Sequence, residues 1–245
     1  KIQHVNNLID PINDLEIIKT EIVLSDIDLI QKKLEKGKKK ILSPKELDLL
    51  QSALKNLNEG EEITVQSDED YKFFNTIGIL SIKPKIIVCN VDEQSLATGN
   101  EYTNAIQQKF INEKIILICA DIEDQLSSLD RNEKENFMKE IGLDKTGLNK
   151  LIKEGYDLLN LNTFFTSGIE ESRAWTIKKN TRAPEAAGVI HTDFEKKFIR
   201  AEAVSCEDFF EFGSAEKCKE KGKLRIEGKD YIVKDGDVLH FRVNP

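Results

Sequence analysis

The sequence predicts an α/β part with a parallel sheet, an antiparallel helical hairpin, and a C-terminal α+β module. Three observations support this fold class. Two short apolar runs are separated by a polar segment that can form a helix, as in a β-α-β unit. Two amphipathic segments flank a lysine-rich turn. After about Leu161, short β-rich runs alternate with Gly, Asp and Asn.

The helical hairpin is predicted from periodicity and from capping residues. From Asn13 to Glu35, apolar side chains recur at intervals of three and four residues, which places them on one helical face. Ser43 is a predicted N-cap, with Pro44 at the first helical position and Glu46 completing a capping box. Leucines then recur at coiled-coil spacing. We therefore expect two antiparallel helices joined by a short basic turn.

The β-α-β unit is predicted from Lys85–Cys89 and Lys114–Cys119 as strands, with a helix over Tyr102–Phe110. Such a unit belongs to a parallel sheet. Two parallel strands alone do not make a stable sheet, so further strands are expected from elsewhere. Additional helices are predicted over Glu133–Ile141 and Thr146–Leu159.

The C-terminal module of roughly 80 residues is predicted to begin near Asn160–Thr163. A helix is expected around Cys206–Gly213. The predicted strands lie in Arg173–Lys179, Phe198–Val204, Lys223–Val233 and Asp237–Val243.

Charge and cysteine content limit the classes of function. The 245 residues carry 36 Lys+Arg and 44 Asp+Glu, and this net charge of −8 does not favour a general nucleic-acid binder. From Phe164 onwards the chain is neutral, with 15 basic and 15 acidic residues. The four cysteines show no CxxC pairing, so buried reduced thiols are expected at Cys89 and Cys119, and a zinc site is not. No apolar run is long enough for a membrane span, which favours a cytoplasmic protein.

The strand that ends at Cys89 runs into Asn90-Val91-Asp92-Glu93. GTPases carry Asn-Lys-x-Asp at such a strand end, where the aspartate accepts hydrogen bonds from guanine. Here valine replaces the lysine and glutamate replaces the final aspartate. Taken without wider context, the tetrad is compatible with base recognition and also with an ordinary strand entering a loop.

Several stretches together resemble the YchF subfamily, the Obg-like ATPases of the P-loop GTPase superfamily. They are HVNNLIDPINDLEIIKTEIVLSDI, KPKIIVCNVDE, FFTSGIEESRAWTIKKNTRAPEAAGVIHTDFEKKFIRAEAV and EGKDYIVKDGDVLHFRV. The resemblance implies a partial P-loop G domain with an inserted antiparallel helical hairpin, followed by a β-grasp (ubiquitin-like) TGS domain. The implied limits are 1–20 and 83–160 for the G-domain pieces, 21–82 for the coiled-coil insertion and 161–245 for the TGS domain.

The resemblance also implies ATP as the nucleotide, with Mg²⁺. A correctly placed aspartate rejects adenine by leaving polar groups unpaired, at about 1–3 kcal/mol for each buried group. The longer Glu93 disrupts that geometry, and Val91 lacks the lysine stem that covers one face of the base. Asn90, Val91 and Glu93 are the predicted base contacts. The resemblance adds Ala120, which lies where the superfamily's last nucleotide motif offers backbone amides to the base.

No catalytic residue is predicted. The family's phosphate-binding loop has no counterpart here, because no G-x-x-x-x-G-K-[ST] motif occurs in the 245 residues. The chain looks like the C-terminal two-thirds of a family protein. Alone, it is not expected to hydrolyse ATP.

The resemblance implies a ribosomal partner, and the chain is expected to be monomeric. Two basic surfaces are candidates for contacting RNA. The first is the turn containing Lys32, Lys33, Lys36, Lys38, Lys39 and Lys40. The second, in the TGS part, combines Arg173, Lys178, Lys179, Arg182, Lys196, Lys197 and Arg200 with Trp175, Phe194 and Phe198. A solvated turn and core aromatic side chains are the alternatives.

Two other functional classes remain open at this level. The chain could be a stand-alone module that binds RNA or ribosomes without enzymatic activity. A third, weaker hypothesis treats the TGS part as a regulatory appendage of an unrelated enzyme, and the tetrad on a β-α-β strand argues against it.

Overall fold

The computed structural model describes residues 9–37, 42–168 and 171–244. The chain divides into two compact units, Lys1–Leu148 and Asn149–Pro245. The helices of the first unit are α1 (Pro11–Gly37), α2 (Pro44–Asn58), α3 (Asp68–Ile77), α4 (Glu101–Lys109), α5 (Ala120–Ser128), α6 (Arg131–Glu140) and the start of α7 (Gly147–Leu158). Its strands are β1 (Ile86–Asn90) and β2 (Lys114–Ile118).

The predicted pair of helices is confirmed, and a third helix, α3, joins it. The capping box at Ser43 forms as predicted: its hydroxyl accepts from the Glu46 amide, and the Glu46 carboxylate accepts from the Ser43 amide. The three helices share an apolar core centred on Ile30, Leu50 and Phe74, all fully buried. The turn residues 38–41 lie outside the described residues.

A buried carboxylate connects α1 to the chain that follows α3. Asp26 is 1% exposed and accepts hydrogen bonds from the amides of Leu80 (2.9 Å) and Ser81 (2.8 Å). A buried carboxylate needs such donors to offset its lost hydration. Asp26 thereby holds residues 80–81 against α1, just before strand β1 begins.

The predicted β-α-β unit is also confirmed. Strands β1 and β2 are parallel, with Ile86 opposite Lys114 and Asn90 opposite Ile118, and α4 connects them. Within the described part of the chain this sheet has two strands. Val88, in the middle of β1, remains 40% exposed.

The second unit contains the C-terminal part of α7 and a five-stranded sheet. Its strands are β3 (Leu161–Ser167), β4 (Ser172–Lys178), β5 (Phe198–Ser205), β6 (Arg225–Glu227) and β7 (Asp237–Val243). Its other helices are α8 (Ala183–Ile190), α9 (Thr192–Lys196), α10 (Cys206–Phe212) and α11 (Ala215–Glu220). The strand order is β4-β3-β7-β5-β6; β3 and β7 are parallel, and the other neighbours are antiparallel.

The core of the second unit lies between this sheet and α8. Phe164, Ala186 and Leu239 are at most 2% exposed. α8 is a helix that the sequence analysis missed, because its alanines cover one face with little hydrophobic periodicity. Together the two units confirm the coarse prediction of a mixed α/β chain with parallel and antiparallel pairing.

The domain limits proposed from the sequence stay predictions. Helix α1 passes through residue 20 without interruption. The end of α7 belongs with the second unit through side-chain contacts: Tyr156 Oη lies 3.2 Å from Thr176 Oγ1, and Lys179 Nζ donates to Asp157 at 2.7 Å. No helix in the described residues is both long and apolar enough to cross a membrane.

Candidate functional site

The loops that follow β1 and β2 lie side by side, because the strands are parallel and in register. Asn90 is the last residue of β1 and is paired with Ile118, the last residue of β2. The amide of Val91 donates to the carbonyl of Ile118 at 2.8 Å and extends the ladder by one bond. The carboxyl ends of parallel strands are where open α/β sheets bind ligands.

The Asn90 side chain crosses from one loop to the other. Its Oδ1 accepts a hydrogen bond from the backbone N–H of Ala120 at 3.0 Å, although the two residues are thirty positions apart. Because the partner is an N–H donor, the Asn90 atom facing it is the oxygen. The Nδ2 amino group therefore points away from Ala120 and keeps its two donor hydrogens.

Ala120 begins helix α5, so the loop after β2 ends at a helix N-terminus. The first intrahelical bond joins the Glu123 amide to the Cys119 carbonyl at 3.0 Å. The amides of Ala120, Asp121 and Ile122 accordingly have no helix carbonyl to receive them. The Ala120 amide donates its hydrogen bond to Asn90, and this bond joins the two loops.

Asp92 organises the loop after β1, a role that the sequence analysis missed. Its Oδ1 accepts from the Ser95 amide at 2.9 Å. Hydrogen bonds from the Ser95 side chain and backbone hold the pKa of Asp92 below its ordinary value, so this carboxylate is ionised at neutral pH. The signal was available in the sequence, since aspartate is a common turn residue whose side chain accepts hydrogen bonds from backbone amides that follow it.

Glu93 lies exposed in the same turn, and its carbonyl accepts from the Leu96 amide at 3.2 Å. A capping box at the start of α4 closes the loop. Asn100 Oδ1 accepts from the Thr103 amide at 3.0 Å, and Thr103 Oγ1 accepts from the Asn100 amide at 2.8 Å. Gly99 has a φ of +74°, and a Cβ there would lie 2.5 Å from Thr103 Oγ1, so the loop requires glycine at this position.

A second glycine brings helix α7 close to the site. The Gly147 amide donates to Glu123 Oε1 at 2.5 Å. A Cβ on Gly147 would lie 2.7 Å from Cγ2 of Ile118, the last residue of β2. Gly147 therefore permits the first residue of α7 to lie directly against the strand end and the first turn of α5.

The structure thus brings together Asn90, Val91 and Ala120 of the predicted base contacts, whereas Glu93 lies in the exposed turn beside them. The predicted buried thiols are at Cys89 and Cys119. Burial raises the pKa of the Cys89 thiol, so it remains protonated at neutral pH.

Of the basic turn predicted to contact RNA, the structure describes only the part on α1. On α1, Lys32 pairs with Asp28 one turn earlier. Lys38, Lys39 and Lys40 lie outside the described residues, as does the side chain of Lys36, and Lys33 is exposed.

In the second unit, five of the predicted cations have intramolecular partners, and one of them is Arg200, which donates to Glu202 at 3.4 Å. Arg173 stacks on Trp175 with 4.2 Å between the guanidinium carbon and the ring centre. The remaining three are Lys178, which donates to the Leu159 carbonyl, Lys179, which pairs with Asp157, and Arg182, which pairs with Asp230.

The predicted aromatic partners belong to the core. Phe198 is 5% exposed, and Trp175 and Phe194 pack against the same cluster. The indole N–H of Trp175 donates to Thr166 Oγ1 at 3.0 Å. These rings are therefore structural, as the alternative interpretation of the sequence expected, and they do not form a base-stacking platform.

Comparisons with known proteins agree with this architecture. Residues 161–244 match the YchF-GTPase_C family model, described as "Protein of unknown function (DUF933)". The "Ribosome-binding ATPase YchF" of Bacillus subtilis (strain 168) is 40% identical over 255 residues, covering 99% of this chain and 69% of the relative. Its namesake from Escherichia coli O157:H7 is 40% identical over 250 residues, covering 98% and 69%.

Two solved structures are similar. The Schizosaccharomyces pombe YchF GTPase aligns with a TM-score of 0.80 and 31% identity, over 99% of this chain and 68% of that one. A GTP-binding protein from Pyrococcus horikoshii OT3 aligns with a TM-score of 0.56 and 18% identity, over 96% and 72%, and shows a similar fold. The fold and these matches define a member of the P-loop GTPase superfamily. Within that superfamily, the chain belongs to the YchF family.

Proposed function

We propose that this chain is the base-recognition and partner-binding portion of an ATP-hydrolysing, ribosome-binding protein that works in the cytoplasm. The hydrogen bond between Asn90 Oδ1 and the Ala120 amide is the observation that carries the proposal. It joins the two loops at the carboxyl ends of β1 and β2 and leaves the Asn90 amino group as a directed donor. The names of the relatives, which combine ribosome binding with ATPase activity, support the same function.

The residues present fit the base of a nucleotide. Adenine offers ring nitrogens as acceptors, and Asn90 Nδ2 supplies the matching donor. Val91 contributes through its main chain beside Ile118. Because Ala120 already donates to Asn90, it positions that side chain. We assign the contact with the base to the following amides at the start of α5, which have no helix carbonyl as acceptor. Glu93 is near enough in sequence to contact the exocyclic edge and too long to reproduce the aspartate's bidentate geometry.

The chain has no recognisable motif for binding the phosphates and Mg²⁺ of the nucleotide. No phosphate-loop motif is present in the 245 residues, so no step of phosphoryl transfer is derived from this chain. We infer that these ligands are held by a segment that this chain does not contain. The exposed Val88 and the two-stranded sheet of the described residues support a larger sheet. As it stands, the chain is inactive in ATP hydrolysis.

The proposed domain assignment follows the topology. In the second unit, β3 and β7 are the first and last strands along the chain, and they lie side by side and parallel in the centre of the sheet. Helix α8 lies in the connection between β4 and β5. This arrangement supports a β-grasp TGS domain at 161–245. In the first unit, β1-α4-β2 supports G-domain pieces at 1–20 and 83–160, and the helices α1 to α3 support an insertion at 21–82.

Two measurements on the purified chain test the function. Co-sedimentation with ribosomes in 50 mM and 300 mM salt should give binding that weakens with salt, because phosphate contacts release counterions. Phosphate release from ATP should not exceed the buffer background. A chain that stays in the supernatant at low salt would contradict ribosome binding, and phosphate release that follows chain concentration would contradict the proposed inactivity.

Ribosome co-sedimentation also tests whether the lysine-rich turn contacts RNA. Replacing Lys38, Lys39 and Lys40 with alanine should reduce ribosome co-sedimentation at low salt if this turn approaches RNA. Equal co-sedimentation of the variant and the parent would identify the turn as a solvated loop.

A stand-alone RNA-binding module is the second candidate function, favoured by the absence of a phosphate-loop motif. The two candidates differ in whether the base pocket is used. Addition of the missing phosphate-binding segment, taken from a relative, should restore ATP binding under the first function. It should have no effect on nucleotide binding under the second.

A further inference from the structure

The two edges of the second unit's sheet differ in length. One edge is β6, which has three residues. The other edge is β4, whose seven residues pair with β3 in an unbroken register. Proteins protect an open edge with short strands, proline, bulges or charged residues. Strand β4 has no proline, glycine or bulge, so it is regular and long enough to pair with another strand.

Hydrogen bonds at the two ends of the β3–β4 hairpin show which residues of β4 face the open edge. In an antiparallel pair, residues that exchange hydrogen bonds alternate with residues whose backbone groups point away from the partner. The Gly168 amide donates to the Glu171 carbonyl at 2.9 Å. At the other end, the Lys179 amide donates to the Asn160 carbonyl at 2.7 Å. Counting from either end gives the same result, namely that the even-numbered residues of β4 point their backbone groups away from β3.

Ala174 and Thr176 therefore direct their N–H and C=O groups to the open edge. Thr163, which lies opposite Thr176, agrees with this direction. Its amide donates to Asp235 at 2.7 Å and its carbonyl accepts from the Gly236 amide at 2.8 Å, so its backbone groups point towards β7. Ala174 and Thr176 are exposed, and within the described ranges their backbone groups have no hydrogen-bond partner. They match the unpaired groups along one edge of a further strand.

The side chains next to these backbone groups determine the chemistry of a partner. Arg173 stacks on Trp175, and Lys178 donates to the Leu159 carbonyl at 3.1 Å. Neither contact supplies a negative charge, and neither cation pairs with a carboxylate among the residues that the structure describes. Strand β4 itself contains no acidic residue. The partly buried ring of Trp175 provides an apolar surface between the two cations.

We propose that β4 binds an extended acidic segment of a partner protein, which adds to the sheet as a further strand. Main-chain hydrogen bonds to Ala174 and Thr176 hold the segment. An apolar residue covers Trp175, and carboxylates pair with Arg173 and Lys178. A second copy of β4 does not suit this edge, because the same cations would then meet without any acid. The inference goes beyond the proposed function and does not depend on it.

The test uses the full chain and two fluorescein-labelled peptides that differ only in charge. When the acidic peptide GEVTVTEG pairs antiparallel to β4, it places a valine opposite Trp175 and glutamates opposite Arg173 and Lys178. The basic peptide is GKVTVTKG. Fluorescence anisotropy at low salt measures the two affinities. The acidic peptide should bind at least about tenfold more tightly than the basic one.

A proline at the open edge tests the main-chain hydrogen bonds. The variant A174P loses an amide that does not bond to β3, so it should fold and melt within about 5 °C of the parent. It should bind the acidic peptide at least about tenfold more weakly. The matched control A174V keeps the N–H group and should bind within about twofold of the parent. If A174P does not fold, hydrogen exchange on the parent decides.

A change of charge tests the two cations. The variant R173E/K178E should prefer the basic peptide, because the cross-strand charges are then reversed. The control K219E/K221E makes the same change of charge at exposed lysines and should keep the parent's preference. Melting temperatures establish that both variants are folded. A folded R173E/K178E that still prefers the acidic peptide overturns the proposal.

Amide hydrogen exchange of the parent, followed by NMR, locates the bound peptide. The acidic peptide should slow exchange at Ala174 and Thr176 at least about fivefold, because both amides become hydrogen-bonded. Protection at β6 with none at these two amides overturns the proposal. Equal affinity for the two peptides, or parental affinity in a folded A174P, also overturns it. Protection without peptide that rises with chain concentration would identify a second copy as the occupant and overturn it as well.

Discussion

The side-chain oxygen of Asn90 accepts a hydrogen bond from the backbone N–H of Ala120, with 3.0 Å between Oδ1 and N. This bond joins the ends of two parallel strands. Neither loop holds this geometry by itself. The loop after β1 is shaped by Asp92 and Ser95, and the loop after β2 is the N-terminus of α5. Asn90 is the side chain that joins them.

Replacing Asn90 with alanine should therefore destabilise the first unit. The change leaves the Ala120 amide without its acceptor, and we expect a loss of about 1–2 kcal/mol in the free energy of unfolding. Urea titration followed by circular dichroism measures it. Asn112→Ala, at an exposed position after α4, is the control and should change the stability by less than about 0.5 kcal/mol. Equal stability of the Asn90 variant and the parent would show that the bond is not formed in solution.

Conversion of the tetrad should change nucleotide preference in a protein that also contains the phosphate-binding segment. The double change V91K/E93D restores the Asn-Lys-x-Asp pattern. We expect the ratio of GTP to ATP affinity to rise at least about tenfold, which corresponds to about 1.4 kcal/mol. Competition binding with a fluorescent nucleotide measures the ratio. The control Glu101→Asp changes an exposed acid at the start of α4 and should leave the ratio as it was. An unchanged ratio in the double variant would falsify the role of the tetrad in base recognition.

Two glycines of α7 provide a matched pair of substitutions. Gly147→Ala places a Cβ 2.7 Å from Ile118 Cγ2 and 3.0 Å from Glu123 Oε1, so we expect a loss of about 1–3 kcal/mol from overpacking. Gly155→Ala meets no atom within 4 Å and should stabilise the protein by about 0.5–1 kcal/mol through helix propensity. Urea unfolding curves of the two variants should therefore move in opposite directions. Similar shifts would contradict the close approach of Gly147 to Ile118.

Tyr231 and Asp237 give the second unit a pH-dependent stability. The Tyr231 hydroxyl donates to Asp237 Oδ2 at 2.6 Å, and Arg225 donates to Oδ1 at 2.8 Å. Burial, and then the hydrogen bond to Asp237, raise the pKa of Tyr231 above its ordinary value. Since the folded-state pKa lies above the unfolded value of about 10, this contribution is complete below pH 10 and is lost as the pH rises further.

The variant Tyr231→Phe should lose about 1 kcal/mol at pH 8, where the hydrogen bond is intact. Above pH 10 the difference between variant and parent should shrink, because phenylalanine cannot ionise. Unfolding by urea at pH 8 and pH 10.5 measures both effects. Tyr71→Phe, which changes an exposed tyrosine, controls for the general effect of alkali. A gap between Tyr231→Phe and the parent that widens with pH would contradict this sign.

The elements that local patterns define were predictable from the sequence. Apolar spacing and the Ser43 capping box predicted α1 and α2, and the apolar runs predicted β1 and β2, because helix and strand periodicities are properties of neighbouring residues. The motifs of the YchF family and the Asn90–Glu93 tetrad were also visible in the sequence, because each is a run of neighbouring residues. The base-contact role of the tetrad stays a prediction. Helix α8 was missed since its alanines give little periodicity.

Only the tertiary structure decided which side chains meet. The sequence could not show that Ala120 donates to Asn90, that Asp26 is buried under residues 80–81, or that Phe198 belongs to the core. It also could not show that an irregularity between Phe198 and Arg200 in β5 places Arg200 directly opposite Arg242 of β7. These outcomes depend on strand register and on contacts between residues far apart in the chain, and register moves every side chain of a strand from one face to the other.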